Sequence, residues 1–151
     1  MMKIAIGSDE KCHLTDQVVA QVKERGHVVT LFGPLQGSAR DWPEVAREVA
    51  EAVASGAADE GILFCWTGTG VSLAANKVPG IRAALCDDAE TAKGARLWNK
   101  ANLLCLSIRR TSEVEAKEIL AAWFGTAYAP NETDDRCLRQ VEALEAVYRK
   151  E

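Results

Sequence analysis

Several things that would mark a specialised protein are scarce here. Histidine occurs only twice, at His13 and His27, so a histidine-based metal centre is not expected. The five cysteines (Cys12, Cys65, Cys86, Cys105 and Cys137) form an odd set with no CxxC pair. Three lie inside or at the end of apolar runs, and Cys86 and Cys105 read as small buried hydrophobes. A surplus of positive charge is also missing. Eighteen Lys and Arg face 22 Asp and Glu, the net charge is −4 and the pI is near 5.3, which argues against a general nucleic-acid binder. A local cationic pocket is still compatible with that balance. No apolar run is long enough to cross a bilayer, and no membrane partner is expected. The opening residues from Met1 to Gly7 run into a strand-like segment that a charged pair soon ends, too short for a signal-peptide core. A cytoplasmic location follows as an expectation, and disulfides are unexpected there. Linkers, low-complexity tracts and internal repeats are absent too, so residues 1–151 read as a single domain.

What remains is an ordinary globular composition, 48% apolar and 26% charged. Short apolar runs alternate with amphipathic segments from end to end. The runs Lys3–Ser8, Val28–Phe32, Glu60–Phe64, Arg82–Cys86 and Leu103–Ser107 carry little polar alternation, the pattern of strands buried on both faces. Between them, Thr15–Arg25, Pro43–Ala54, Ala89–Leu97 and Glu113–Phe124 repeat apolar residues at three- and four-residue spacing. Gly26 suits a C-cap, Asp41 and Thr111 suit N-caps, and Pro43 suits a first helical turn. A last helix over Asp134–Tyr148 carries Leu138, Val141, Leu144 and Val147 on one side, and must cover the sheet or a neighbouring subunit. The expectation is a three-layer α/β/α Rossmann-like fold around a five-stranded parallel sheet, with its active site at the carboxyl ends of the strands.

Those ends can be read off directly. The third is the most informative, Cys65-Trp66-Thr67-Gly68-Thr69-Gly70-Val71-Ser72. Gly68 and Gly70 allow a tight turn that brings backbone N–H groups close to a ligand, and a helix over roughly Val71 to Lys77 follows. An oxyanion, enediolate or phosphate is favoured there. One such donor is worth about 3 kcal/mol to a transition state. Glycine after a strand is weak information alone. GxGxxG is not met, because Leu73 stands at its third glycine, and no P-loop Lys-Ser or Lys-Thr pair occurs. Cys65 reads either as a thiolate base for a proton alpha to a carbonyl, or as one more buried thiol. Asp9 closes the first strand, where it would accept from sugar hydroxyls or cap the next helix. Arg109 follows the fifth strand, and Arg136 and Arg139 fall near the start of the last helix. Each suits a phosphate or a surface ion pair.

Together these residues resemble the ribose-5-phosphate isomerase B and galactose-6-phosphate isomerase family over nearly the whole chain. The stretches that carry the resemblance are Met2 to Asp9, Ala50 to Gly56, Gly61 to Cys65, Ala74 to Cys86, Asn99, Ala101-Asn102, Leu104 to Leu106 and Ala116 to Ile119. The resemblance implies a Rossmann-like fold, a phosphosugar substrate, no cofactor or metal, and isomerisation through a cis-enediolate. It implies a homodimer with sites between subunits and the C-terminal helix used in dimerisation; pairing of dimers into tetramers stays open. By position, Cys65 is the proton-transferring base and Thr67 assists at the substrate oxygens. The amides of Gly68, Thr69 and Gly70 hold the enediolate, and Asp9 contacts hydroxyls. Arg109 and Arg136 match phosphate-binding arginines, and Asn99 a substrate contact. A branch with a glutamate base just after the loop is not matched, because that position is Val71.

Four departures bear on the substrate. Glu10 replaces a histidine, and a carboxylate 4 Å from a phosphate is repulsive by roughly 1 to 4 kcal/mol. Trp66 replaces a glycine. Trp98 replaces the histidine assigned to ring opening, and an indole cannot accept and return a proton. Gln140 replaces a second phosphate arginine, with Arg139 displaced by one position. The enzyme then acts on open-chain sugars such as tetrose phosphates, opens rings with Glu10 or Asp9, or has become a silent sugar-phosphate binder. Trp66 and Trp98 add bulk for a sugar face or for packing.

Overall fold

The computed structural model describes residues 1–149, so Lys150 and Glu151 of the expected single domain lie outside the described residues. Five parallel strands form one sheet in the order β2-β1-β3-β5-β4. They are β1 (Lys3–Ser8), β2 (Val28–Phe32), β3 (Glu60–Cys65), β4 (Ala83–Leu85) and β5 (Leu103–Ser107). Helices α1 (His13–Glu24), α2 (Trp42–Ala54), α3 (Thr69–Ala75), α4 (Ala89–Asn99) and α5 (Glu113–Gly125) join them, and α6 (Glu132–Tyr148) follows the last. A 3-10 turn over Gly33–Gln36 lies between β2 and α2.

The two faces of the sheet bury different halves of the core. Ile4, Ile6, Ile62, Phe64, Leu104 and Leu106 point toward α1, α4 and α5, where Val18, Ala92, Ile119 and Trp123 meet them. Ala5, Leu63, Cys65, Leu103 and Cys105 point toward α2 and α3, against Val45, Val49, Val71 and Ala75. Strict alternation along strands covered on both faces produces the run of unbroken apolar residues in the sequence. Each fully buried Ile, Leu or Phe contributes roughly 1.5–3 kcal/mol.

The boundaries differ from the sequence expectation in instructive ways. β3 runs one residue further, to Cys65, whose carbonyl accepts from the Ile108 amide at 3.0 Å. β4 keeps only Ala83–Leu85, because Arg82 already turns to bond the Asn102 side chain through its amide. α3 opens at Thr69 rather than Val71. Thr111 is not a cap: Ser112 takes that place in a capping box with Glu115, and the Thr111 hydroxyl is buried without a protein partner. Asp41 stands at the N-cap of α2 but makes no side-chain capping bond. Arg25 ends α1, and Gly26 takes the left-handed step just after it.

α6 is unlike the other helices. No residue of it is buried, and Val141, Leu144, Val147 and Tyr148 are all exposed. It touches the body near α4 and through Glu145, whose carboxylate accepts from the Gly80 amide at 3.0 Å. No helix of the described residues is long and apolar enough to cross a membrane.

Candidate active site

Strand order places the switch of chain direction between β1 and β3, since β2 lies to one side and β3 to the other. In open α/β sheets the ligand crevice lies outside the carboxyl ends of the strands at that point. Ser8 pairs with Phe64, so the next residues, Asp9 and Cys65, stand side by side at that edge. Cys65 is 5% exposed and packs on the α2–α3 face.

The loop after Cys65 is fastened from β5. The Trp66 carbonyl accepts from the Ser107 hydroxyl at 3.0 Å and from the Arg109 amide at 2.9 Å. The same bonds set Arg109 beside the loop, with its side chain exposed. Gly68 then adopts a φ of 75°, and a Cβ there would lie 2.6 Å from Leu85 Cδ1 and 3.0 Å from the Leu106 carbonyl carbon. Both the backbone angle and the space demand glycine. As the N-cap of α3, Gly68 leaves the amides of Thr69, Gly70 and Val71 without acceptors inside the helix. The hydroxyls of Thr67 and Thr69 share a hydrogen bond of 2.7 Å at the surface of this loop. Glu10 is exposed, and its amide and carbonyl are both tied to the Ser8 hydroxyl.

Asp9 is half-buried, and its carboxyl is held above the ordinary aspartate range. Burial is the main cause, and the negative charges of Glu10 and Asp41 add to it. Cys86, just past β4, is pushed up to about 12 by burial and by Asp88 and Asp87, so it stays a thiol. Burial likewise raises Cys105, which lies diagonally from Cys65 on the same face of the sheet. All five cysteines are free. Among the described residues, no three His, Cys, Asp or Glu are grouped to hold a metal.

The structure divides the residues singled out from sequence into two groups. Asp9, Glu10, Cys65, Thr67, Gly68, Thr69, Gly70 and Arg109 share the carboxyl edge. Trp98, Asn99, Arg136 and Arg139 do not join them within one chain. Trp98 and Asn99 end α4 and line a groove of about 270 Å³ with Arg82, Cys137, Leu138 and Val141. Arg139 lines a larger one of about 550 Å³ between α6 and the start of β4, while Arg136 is exposed on the same helix. The reason is geometric: α4 runs back from the carboxyl edge, so its last residues and α6 lie at the other end of the sheet. Neither histidine stands beside Cys65. His27 accepts from the Met2 amide at 3.2 Å, where the strands begin, and His13, which opens α1 at the carboxyl edge, is paired with Glu113 at the start of α5.

Two residues at the edge escape the sequence reading. The Trp42 indole covers Gly70, where an added Cβ would lie 3.0 Å from the ring. Arg40 lines a cleft of about 330 Å³ with Asp9, Pro34, Ala39, Asp41 and Glu44. Both precede or open α2, and every helix in this alternation starts at the carboxyl edge. That rule of position is the signal in the sequence that points to both.

Known proteins place this arrangement. Residues 4–142 match the family model described as Ribose/Galactose Isomerase. The chain is 40% identical over 148 residues to ribose-5-phosphate isomerase B of Escherichia coli K12, covering 97% of each protein. It is 37% identical over 130 residues to D-erythrulose-4-phosphate isomerase of Pectobacterium atrosepticum, covering 85% of this chain and 86% of the relative. Among solved structures, ribose-5-phosphate isomerase B of Clostridium thermocellum superposes with a TM-score of 0.92 at 38% identity, over 98% of this chain and 100% of that one.

Proposed function

We propose, for a chain that belongs to the ribose/galactose isomerase family of sugar-phosphate aldose–ketose isomerases, that Cys65 is the base and that the substrate is of the ribose 5-phosphate/ribulose 5-phosphate type. The observation that carries this reading is the shared edge of β1 and β3, where Cys65 and Asp9 adjoin a turn that only glycine fits. The Cys65 thiolate takes the proton from the carbon alpha to the carbonyl and returns it to the neighbouring carbon. Between the two transfers the substrate is a cis-enediolate. Amides of the Gly68–Thr69–Gly70 turn donate to its negatively charged oxygens, and Thr67 passes the proton between the two oxygens. Asp9 accepts from a substrate hydroxyl, and Arg109 takes the phosphate.

The remaining residues come from a second copy. The apolar stripe of Val141, Leu144, Val147 and Tyr148 supports a homodimer built on α6. Such a partner would bring its own Arg136 and Arg139 to the phosphate, and its Trp98 and Asn99 to the sugar. Residues 1–151 act as one domain of this dimer. Five free thiols favour the cytoplasm as the place of action.

A second substrate reading has its own support. Trp98 offers no proton acceptor, His27 lies at the opposite end of the sheet and His13 is paired with Glu113, so a ring-closed furanose lacks an imidazole in the place of Trp98 to open it. Tetrose phosphates need no such step, and the Pectobacterium relative is named for one. A coupled assay over ribose 5-phosphate, allose 6-phosphate and erythrose 4-phosphate separates the two, with the faster sugar naming the class. Cys65→Ala and Cys65→Ser are each expected to lower kcat by about 10²–10⁴, the range for a positioned proton-transfer group. Turnover untouched by either change excludes the thiol as base. Ligand-induced thermal stabilisation with no turnover of any sugar points to a silent binding protein.

A further inference from the structure

The carboxyl edge continues past Asp9, away from Cys65, into the cleft of about 330 Å³ along the ends of β1 and β2. Three carboxylates line it, Asp9, Asp41 and Glu44, against the single cation Arg40. The Arg40 side chain is 35% exposed and is held at two of its three nitrogens. Nε donates to Glu48 at 3.0 Å, and Nη1 donates to the Ala39 carbonyl at 2.8 Å. Nη2 makes no hydrogen bond among the described residues. A guanidinium fixed in this way loses little freedom when its remaining donors meet a ligand.

The charge balance decides what can enter. The Glu48 contact offsets the positive charge of Arg40, and three carboxylates stand around the space. A phosphate dianion is repelled there, whereas a hydroxyl can donate to Asp9 and accept from Arg40. The sheet order also sets a direction. From the Arg40 cleft it runs through Asp9 on β1 and Cys65 on β3 to Arg109 beyond β5. Adjacent strands lie about 4.8 Å apart, so β1 to β5 spans about 10 Å, close to the length of an extended sugar phosphate.

We propose that Arg40 is a substrate-binding residue that holds the oxygen of the terminal carbon remote from the phosphate, one of the two carbons between which the proton moves. This rests on the isomerase reading above and deepens it by fixing which way the substrate lies.

The test compares Arg40→Gln and Arg40→Lys with the parent, with Arg47→Ala as a control at an exposed i,i+4 pair. Two readouts are needed: kinetics on the preferred sugar phosphate, and calorimetric binding of ribitol and ribitol 5-phosphate, which cannot isomerise. Arg40→Gln is expected to raise KM and the ribitol 5-phosphate Kd about tenfold, equivalent to about 1.4 kcal/mol. Its kcat should fall as well, by about tenfold, since the carbon whose oxygen it holds is one of the reacting pair. The ratio of ribitol to ribitol 5-phosphate affinity should not move, whereas Arg109→Ala should collapse it. Arg40→Lys, which keeps the charge and loses the fork, should fall between. Unchanged affinity in folded Arg40→Gln overturns the assignment. So does a collapsed phosphate preference, which would make Arg40 the phosphate anchor. If Arg40→Gln fails to fold, Arg40→Lys decides by the same affinities. If the parent turns over no sugar yet binds ribitol 5-phosphate in an Arg40-dependent way, the isomerase reading falls and this assignment stands. If it binds neither polyol, both fall.

Discussion

In the proposed mechanism a single thiol, one glycine and one carboxylate carry most of the chemistry at the β1–β3 edge, and the sequence points to the position of each for a different reason. Cys65 and Gly68 stand at a strand end followed by a tight turn, a position that proximity along the chain already defines. Asp9 was legible as an edge residue, but its surroundings were not. Only the fold brings Asp41 close enough to join Glu10 and burial in raising its carboxyl pKa. The sign follows from linkage. A carboxyl raised in the folded state binds more protons than the unfolded chain between its ordinary and raised values, so stability falls as pH rises through that window. Below the window both states are protonated and the penalty is absent. Asp9→Asn is therefore expected to raise Tm at pH 7, with the gain over the parent shrinking as pH falls into the ordinary carboxylate range. The same change should raise KM about tenfold through loss of a hydrogen bond to a charged acceptor. A thermal-shift series across pH and steady-state kinetics check both.

At the level of strands and helices, periodicity located nearly every element, and side-chain hydrogen bonds decided the ends. Thr111 and Ser112 are adjacent and both suit a cap, so only the Glu115 reciprocal bond identifies Ser112. Sequence also gave no hint of the clamp that joins β3, α4 and α5. Glu60 opens β3 and is met there by Arg96 of α4 at 2.8 Å and by the Trp123 indole N–H of α5 at 2.9 Å. Arg96 also donates to the carbonyls of Ala101 and Thr126 and lies over the Trp123 ring. The pair is 16% and 11% exposed, so removing one partner leaves a charge out of water. Arg96→Ala is expected to cost about 3–5 kcal/mol in urea unfolding. Arg47→Ala, at an exposed pair on α2, should leave the urea midpoint unchanged.

For the molecule as a whole, the informative feature is the separation of Trp98, Asn99, Arg136 and Arg139 from the Cys65 edge. No rearrangement of one chain short of unfolding would reunite them, because α4 and the sheet are packed against each other. The homodimer proposed above supplies them from a second copy docked through α6. Leu144→Asp, at a side chain 60% exposed in the single chain, should preserve circular dichroism while shifting sedimentation to the monomer. Its kcat/KM should fall by about a hundredfold or more, since two arginine–phosphate contacts are each worth about 1.5–3 kcal/mol. A monomer with full activity would show that one chain holds the complete site.

The amino-acid sequence by itself determined the order of strands and helices, the α/β class and the loop at which chemistry can occur. These depend on periodicity, on glycine and on neighbours along the chain. Tertiary structure alone decided which carboxylates surround Asp9, that Trp42 covers Gly70, that Arg40 shares the cleft, and that the arginines of α6 stand apart from the thiol. The physical reason is that charge, burial and reach act through space. Residues 30 positions apart can share one edge of a sheet, while a helix packed antiparallel to its strand carries its last residues to the opposite end.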